Sequence, residues 1–507
     1  MRSTFMGLET AKRGMFAQQS ALYTTGHNIS NANTEGYSRQ RVNFSATDPY
    51  PTASINRPQI PGQMGTGVEA GSVQRIRESF LDVQYRTENN KLGYWESKAA
   101  ALTKMEDIMN EPSNYGLSKT MDRFWQSLHD LALNPSKENS GARAVVRERG
   151  IAVADTFQYL SGSLQSIQRD LKEEVNITAK TIDSLARQIN NINRQIAETE
   201  PHGYLPNDLY DQRDLLLDQL SSLANIKITT EKSGGNALAI AEGAYTIELL
   251  NDKGQPLAVL VDGKTLQANS VEVGYHESGF TEKIIIGGQE INISDFTSTG
   301  KLRSLIDSYG YMDGAEVKGL YPEMLHELDK MAFAFVTEFN AVHQSGYNLK
   351  DFETDPLVKT PVNFFAELTD YKGAAGKISL SNEIKSSPDY IAAASAPYVG
   401  NGQNAIRLAE VKNSVMTIGG RSTSIQNFYE SLIGKMAVET QEAQRLTGNS
   451  RSLRDSVENR RQSVSAVSLD EEMTNMIQFQ HAYNASARMI SLQDEILNTI
   501  INGLRGR

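Results

Sequence analysis

Residues 468–504 have the sequence SLDEEMTNMIQFQHAYNASARMISLQDEILNTIINGL. Along this stretch a seam with alternating steps of four and three residues contains apolar or small side chains, with Gln480 and Asp494 at the two remaining steps. The apolar or small residues are Leu469, Met473, Met476, Tyr483, Ala487, Ile490, Leu497, Ile501 and Leu504. Such heptad spacing is typical of a helix that packs lengthwise against another helix. At 1.5 Å per residue the predicted helix would be roughly 55 Å long.

A second heptad stretch lies near the other end of the chain, between about residues 4 and 29. Its seam consists of Leu8, Ala11, Met15, Gln18, Leu22, Thr25 and Ile29. Neither 14–34 nor 473–487 contains Asp, Glu, Lys or Arg, whereas a surface helix normally carries charges on its outer face. Burial in one large core would explain this pattern. We favour the alternative, in which the two helices form a shaft that is crowded by neighbouring copies.

Further heptad patterns predict long helices over 78–109 and 160–196, and shorter apolar stripes predict helices over 121–133, 209–223, 319–342, 405–415 and 425–464. At residue 226 the apolar period changes to two, which is typical of strands. Strand candidates are 226–230, 237–241, 245–250, 257–262, 270–275, 281–286 and 290–293. The predicted fold is therefore mainly α with inserted β. Long antiparallel coiled-coil helices come from both termini and from the body, and the β-rich insertions are small.

The order of these elements predicts four parts. Residues 1–45 with 465–507 form a terminal helical shaft, and residues 46–225 with 300–345 and 400–464 form a helical body. Residues 226–299 form an inserted β domain, and residues 346–399 form a second, irregular or β-rich excursion. The chain thus runs out along helices, makes two excursions and returns.

The amino-acid composition and net charge exclude several classes of site and function. The chain has 507 residues, no cysteine and a net charge of −11, which excludes disulfides and thiolate metal sites and argues against a general nucleic-acid binder. No apolar run approaches the length of a membrane-spanning helix. The first thirty residues lack the apolar block of a secretory signal peptide, so we expect any export to proceed without a cleaved signal.

No arrangement of residues indicates catalysis or a cofactor. His326-Glu327 lacks the second histidine of a helical zinc protease, and His129, His202, His276 and His343 are expected on the surface or in turns. The acids at 470–472 are interpreted as charges that favour a helix N-terminus rather than as an acid–base pair. We therefore predict no enzyme, no catalytic or metal site and no cofactor.

Two strings carry a family resemblance. NISNANTEGYSRQ at 28–40 resembles the rod–hook type motif of bacterial flagellar axial proteins, and SLDEEM at 468–473 with QFQHAY at 478–483 resembles the C-terminal end of the same family. The match is close over about 1–45 and 465–507, and it departs mildly at His481, where the family usually has Gln. The two long body helices are similar to those of the hook-associated members, which join hook to filament.

The resemblance implies a structural subunit of the flagellum, outside the cell at the hook–filament junction, exported by the flagellar type III route. Expected partners are copies of the chain itself, hook protein, a second junction protein or the filament, and a cytoplasmic export chaperone at the C-terminal helix. Neither nucleic acid nor membrane is expected as a partner. The alternatives are another axial protein, either hook protein or flagellin, or a secreted type III translocator, effector or enzyme.

The seams and the motif together define a candidate assembly interface. It comprises Leu8, Met15, Leu22, Ile29, Asn33, Gly36, Tyr37, Arg39, Leu469, Met473, Met476, Tyr483, Ile490, Leu497 and Ile501. Arg39 and Arg41 are expected to form salt bridges to a neighbouring element or to a neighbouring subunit.

Overall fold

A computed structural model describes residues 5–56, 62–109, 113, 116–136, 140–353 and 358–505. The chain forms two compact units, each assembled from several segments. We call Met1–Asn90, Ile182–Ser270 and Arg451–Arg507 the terminal unit, and Lys91–Thr181 and Val271–Ser450 the central unit.

Helices dominate the structure, as the fold class predicted. They are α1 (Phe5–Ser30), α2 (Ser79–Met109), α3 (Leu117–Leu133), α4 (Ser140–Thr199), α5 (Asn207–Leu223), α6 (Lys301–Tyr309), α7 (Leu320–Ser345), α8 (Ala374–Lys377), α9 (Asn382–Ser386), α10 (Gln403–Glu410), α11 (Ile425–Ser465) and α12 (Leu469–Arg505). For the predicted helices, most bounds lie within a few residues of the prediction, because apolar spacing is a local property of the sequence. The sequence did not predict α6, α8 or α9, and the last two lie in the excursion expected to be irregular or β-rich.

Helix α4 is an exception, since it begins 20 residues before the predicted start at residue 160. The heptad pattern is hard to recognise before residue 160, where Gly141 and Gly150 interrupt it. Gly150 has a packing role in the central unit. A Cβ atom there would lie 2.8 Å from Cε1 of Phe364, so only glycine lets the ring approach the helix this closely.

Two sheets replace the single β domain that the sequence suggested over 226–299. In the terminal unit, β3 (Ile226–Glu231), β4 (Ala244–Leu250), β5 (Pro256–Asp262) and β6 (Gln267–Ala268) form an antiparallel sheet in chain order. In the central unit, β7 (Val271–Tyr275), β8 (Thr281–Ile286), β9 (Gln289–Asn292), β10 (Tyr311–Asp313) and β11 (Glu316–Lys318) form a second sheet. Period-two spacing predicts strands but not their pairing, so the division between two units could not be foreseen.

Two hairpins complete the strands. In the terminal unit, β1 (Gln40–Ala46) pairs antiparallel with β2 (Val68–Arg75). In the central unit, β12 (Met416–Ile418) pairs with β13 (Arg421–Thr423). The strand predicted over 237–241 is wrong, because these residues form a loop in which the Ala241 N–H donates to the Leu238 carbonyl.

The central unit contains a cluster of aromatic rings in contact with one another. Phe124 on α3 has its ring centroid 5.3 Å from that of Phe339 on α7 and 5.7 Å from that of Phe364. Phe364 and Phe365 come from the predicted excursion at 346–399, and both are fully buried. This segment therefore contributes to the core of its unit.

His343 corrects one expectation from the sequence, since it is fully buried rather than on the surface or in a turn. Its Nδ1 lies 2.7 Å from the Val362 carbonyl oxygen, and its Nε2 accepts a hydrogen bond of 2.9 Å from the Ala392 N–H. The imidazole is thus held as the neutral tautomer with the proton on Nδ1, and burial lowers its pKa to about 4. The sequence shows no signal for this position beyond the apolar stripe of α7.

Candidate assembly site

The two terminal helices pack against each other in antiparallel orientation. A Cβ atom at Gly7 would lie 3.1 Å from the side-chain nitrogen of Gln493, and one at Gly14 would lie 3.2 Å from Oγ of Ser486. Gly7 and Gly14, which weaken α1 as an isolated helix, are therefore points where α12 approaches closely. Stability that α1 lacks by propensity has to come from this packing.

A cluster of buried polar groups connects the end of α1 to the beginning of α12. The side-chain nitrogen of Asn28 donates to the Gln40 carbonyl at 2.9 Å and to a carboxylate oxygen of Glu472 at 3.1 Å. The side-chain oxygen of Asn28 accepts from the Gln40 N–H at 2.9 Å and from the Tyr37 hydroxyl at 2.8 Å. Both polar atoms of a fully buried amide are thus satisfied, as burial requires. Burial and the nearby charges of Asp208, Asp211 and Glu472 raise the pKa of Tyr37, so its hydroxyl remains a donor.

Arg39 forms its salt bridges within the chain. Its Nε donates to Glu472 at 2.7 Å and its Nη1 to Glu471 at 2.8 Å. Its backbone N–H donates to the Ser465 carbonyl, at the end of α11. Of the two partners expected from the sequence, a neighbouring element and a neighbouring subunit, the structure shows the neighbouring element.

Helix α5 carries a row of aspartates that anchors the motif. Asp208, Asp211, Asp214 and Asp218 are three or four residues apart, so they lie on one helical face. The Ser38 N–H donates to Asp211 at 3.0 Å, and the Gln40 side-chain nitrogen donates to Asp208 at 2.9 Å. The motif is therefore bonded to α5 as well as to the terminal helices.

Gly36 of the motif also contacts α5, and its backbone has a conformation that favours glycine. Its φ is +79°, in the left-handed region that favours glycine. A Cβ atom there would also lie 3.2 Å from Cβ of Leu215 on α5. The glycine of the motif is thus required both by the turn and by its contact with the helix.

Three buried arginines meet the same aspartates. Asp214 accepts from Arg75 at 2.9 Å and from Arg86 at 3.0 Å, and Arg77 lies 3.3 Å away. Arg86 also donates to Asp218 at 2.8 Å. Charge pairs this deeply buried are stable only when each charge is matched, so this network specifies one arrangement of β2, α2 and α5.

The electrostatics of Asp214 follow from these contacts. Burial alone would raise the pKa of this carboxyl, but Arg77, Arg75, Arg86 and Arg213 together lower it far below its ordinary value. Asp214 is therefore ionised at any physiological pH. The sequence-based reasoning missed this network, although the regular spacing of the four aspartates on α5 was a visible signal.

The predicted interface residues fall into two groups. Eight of the seam residues are half-buried on the packed helix pair, namely Leu8, Met15, Leu22, Ile29, Met476, Tyr483, Ile490 and Leu497. Gly36, Tyr37 and Arg39 are also half-buried, while Asn33, Leu469, Met473 and Ile501 are exposed. The seam thus coincides largely with the packing of α1 on α12.

The outward faces of the helix pair expose apolar side chains that the seam does not contain. On α1 these are Phe16 and Tyr23, with 51% and 71% of their surface accessible. On α12 they are Ile477, Met489, Leu492, Ile496 and Ile500. We call this set the outer row. Phe16 and Tyr23 are seven residues apart, so the sequence alone shows that they lie on one helical face.

Three family models match the chain. The model of flagella basal body rod protein matches residues 8–37, and that of the flagellar basal body rod FlgEFG protein C-terminal matches residues 460–503. The model of the flagellar hook-associated protein FlgK helical domain matches residues 102–356. Flagellar hook-associated protein 1 of Bacillus subtilis is 48% identical over 512 residues, which cover 99% of both chains.

The chain belongs to the flagellar hook-associated protein 1 family.

More distant members of the hook-associated protein 1 family also match over nearly their whole length. The Escherichia coli protein is 22% identical over 98% of this chain and 99% of its own, and the Salmonella typhimurium protein is 24% identical over 97% and 98%. The solved structure of the flagellar hook junction protein FlgK from Burkholderia pseudomallei shares the fold. It has a TM-score of 0.60 at 14% identity, and it covers 76% of this chain and 100% of its own.

Family membership confirms the main prediction from the sequence. The chain is a structural component of the bacterial flagellum at the hook–filament junction. The alternatives, hook protein and flagellin, are set aside because the matches over the full length are to the hook-associated protein 1 family. No helix in the described ranges is long and apolar enough to cross a membrane.

Proposed function

We propose that the chain enters the flagellum through the outer row of its terminal helix pair. Its neighbours there are other copies of the chain, hook protein, and a second junction protein or the filament. The supporting observation is the exposure of Phe16, Tyr23 and Ile477 within stretches that carry no Asp, Glu, Lys or Arg. Burying exposed apolar surface contributes roughly 25 cal/mol per Å², and no charge has to be desolvated in these stretches.

The half-buried seam and the outer row then have different roles. The seam holds α1 against α12 within one chain, whereas the outer row contacts neighbours. The exposed motif residue Asn33, whose loop is fixed by Gly36 and Tyr37, belongs to the contact surface in this proposal. The bonds of the half-buried Arg39 to Glu471 and Glu472 keep that loop in position.

The experiment replaces one exposed ring by a charge. Tyr23→Asp should leave the purified chain folded, because the side chain is mostly exposed, but should prevent incorporation into flagella. The control Tyr23→Phe keeps the exposed ring at the same position without adding a charge and should be incorporated normally. Electron microscopy and immunolabelling of flagella from strains carrying each variant provide the readout. Normal filaments with labelled Tyr23→Asp at the junction would contradict the proposal.

We infer that an export chaperone in the cytoplasm covers the C-terminal helix before the chain leaves the cell by the flagellar type III route. Helix α12 exposes Met489, Leu492 and Ile496 on its last turns, and an uncovered apolar row of this kind favours aggregation. Leu492→Asp should weaken co-purification with the chaperone, while the exposed neighbour Asp494→Asn should not. Equal recovery of chaperone with both variants would argue against this role for α12.

The role proposed for the chain is structural, outside the cell, without catalysis. The net charge of −11 opposes binding to nucleic acid, and membranes are not among the proposed partners. In the part of the chain that the structure describes, no three metal-binding side chains come together. A screen of purified chain for hydrolase activity tests this aspect, and turnover that follows the protein through purification would overturn it.

A further inference from the structure

A groove in the terminal unit runs beside strand β3. Its volume is about 630 Å³. Its lining includes Ile226, Ile228 and Thr230 of β3, together with Val83 of α2 and Ile240 of the loop that follows β3. Val83 and Ile240 expose 62% and 49% of their surface, so the groove presents apolar side chains to the outside.

Strand β3 offers a row of backbone groups to this groove. It lies at the edge of its sheet, since β4 is its only partner among the strands of the described residues. The Leu250 N–H donates to the Asn225 carbonyl at 2.8 Å, and Ile226 is opposite Leu249. Hydrogen bonding alternates along an antiparallel pair. The N–H and C=O groups of Ile226, Ile228 and Thr230 therefore point away from β4, toward the free edge.

The accessible charge beside this edge is positive. Lys227, the second residue of β3, and Lys232, which follows its last residue, are exposed. Glu242 also lines the groove, but it is half-buried and paired with Arg75 and Arg213. Lys227 lies 3.6 Å from Glu248, and the ammonium of Lys232 donates to the Ala239 carbonyl at 3.3 Å. The arginines on the floor of the groove, by contrast, are buried and matched by aspartates.

We propose that this groove binds an extended acidic segment of another protein, which adds a strand to β3. The outward backbone groups of Ile226, Ile228 and Thr230 would pair with the segment, as in other cases of strand addition. Its apolar side chains would pack on Val83 and Ile240, and alternate acidic side chains would face the lysines. Six residues of β3 accommodate a segment of about 20 Å.

The two lysines also argue against a second copy of β3 as the occupant. Pairing of β3 with itself would place a second Lys227 and a second Lys232 along this edge, where an acidic partner would place opposite charges. Lysine on an edge strand is a common protection against such self-pairing. An acidic partner turns the same charges into an attraction.

The test uses the full-length chain and a blocked eight-residue peptide of alternating valine and glutamate. Fluorescence anisotropy should show saturable binding that weakens as salt is added. Hydrogen exchange should slow on binding at the amides of Ile226, Ile228 and Thr230. A peptide with lysine in place of glutamate should bind at least tenfold more weakly.

Two variants isolate the backbone edge. Thr230→Pro removes an outward N–H that β4 does not use, which an edge strand tolerates, and should weaken binding at least tenfold. Thr230→Val keeps the N–H and should bind as the unchanged chain does. The proposal is overturned if the acidic peptide does not saturate, if the lysine peptide binds equally well, or if Thr230→Pro binds normally. Dimerisation through β3, seen by sedimentation and abolished by Thr230→Pro, would equally overturn it in favour of self-association.

Discussion

The side-chain nitrogen of Asn28 donates a hydrogen bond of 3.1 Å to the carboxylate of Glu472, across 444 residues of chain. The same amide binds the backbone of Gln40 in both directions and accepts from the Tyr37 hydroxyl. One side chain thus ties the first helix, the motif and the last helix together. The antiparallel register of α1 on α12 is fixed at this point.

Asn28→Ala should destabilise the helix pair by about 1–3 kcal/mol, because buried donors and acceptors lose their partners. Amide exchange in α1 and α12, followed by mass spectrometry, should accelerate relative to the rest of the terminal unit. The control Asn33→Ala changes an exposed asparagine of the same motif and should leave exchange unchanged. Identical exchange in both variants would show that Asn28 does not hold the pair.

Two glycines of α1 should respond in opposite ways to a larger side chain. No atom lies within 4 Å of a Cβ placed at Gly26, so Gly26→Ala should raise the free energy of unfolding by up to about 1 kcal/mol. Gly14→Val should lower it, because its Cβ would lie 3.2 Å from Oγ of Ser486 and two further methyl groups would be added at this close approach of α12. Urea denaturation measures both, and a stabilising Gly14→Val would mean that α12 does not approach there.

Asp214→Asn should destabilise the terminal unit by roughly 3–5 kcal/mol at pH 7, because several buried arginines lose their counter-charge. The folded chain holds the pKa of Asp214 below its ordinary value, so its contribution is present at neutral pH. It is lost as the pH falls below about 4. The difference between the two chains in urea denaturation should therefore shrink in acid.

The control for this comparison is Asp170→Asn, which changes an exposed aspartate on α4. It should shift the denaturation midpoint little at any pH. If Asp214→Asn were equally mild at pH 7, the arginine–aspartate network would not hold the unit together.

His343 should make the central unit less stable as the pH falls from about 7 to about 4. The folded chain keeps this imidazole neutral down to a pKa of about 4, whereas in the unfolded chain it gains a proton near pH 6.5. Protonation therefore favours the unfolded state by about 3 kcal/mol over this interval. His343→Gln should flatten that part of the pH dependence, while the exposed His202→Gln should not. A pH profile unchanged by His343→Gln would refute the assignment.

The terminal helices could be predicted from the sequence because heptad spacing is local. The expected helices at about 4–29 and 468–504 correspond to α1 at Phe5–Ser30 and α12 at Leu469–Arg505. The heptad seam marks the face that packs, but it cannot say whether the packing partner is in the same chain. The outer row, with Phe16 and Tyr23, could be recognised only from the structure, in which the seam of α1 packs against α12 and leaves the opposite faces exposed.

The arginine–aspartate network around Asp214 could not be predicted from the sequence, for a different reason. Asp214 pairs with Arg86 across 128 residues and with Arg75 across 139, and the sequence carries no information on which distant charges meet. Local spacing on α5 shows that Asp211, Asp214 and Asp218 share a face, but not that the face is buried. Similarly, β3 lies at a sheet edge because β4 pairs with β5 on its other side. The spacing of apolar residues within β3 does not show this strand order.

The bond between Asn28 and Glu472 also sets an order of events for a chain that passes through a narrow channel. Whichever end leads, the second partner emerges only after the 444-residue span that separates the two has come through. The packing of α1 against α12 is thus among the last steps of folding. A chain that has only partly emerged does not yet have both helices of the pair, so its outer row is incomplete. If the chain leaves the cell by the proposed type III route, the proposed contact surface is complete only when nearly the whole subunit is outside.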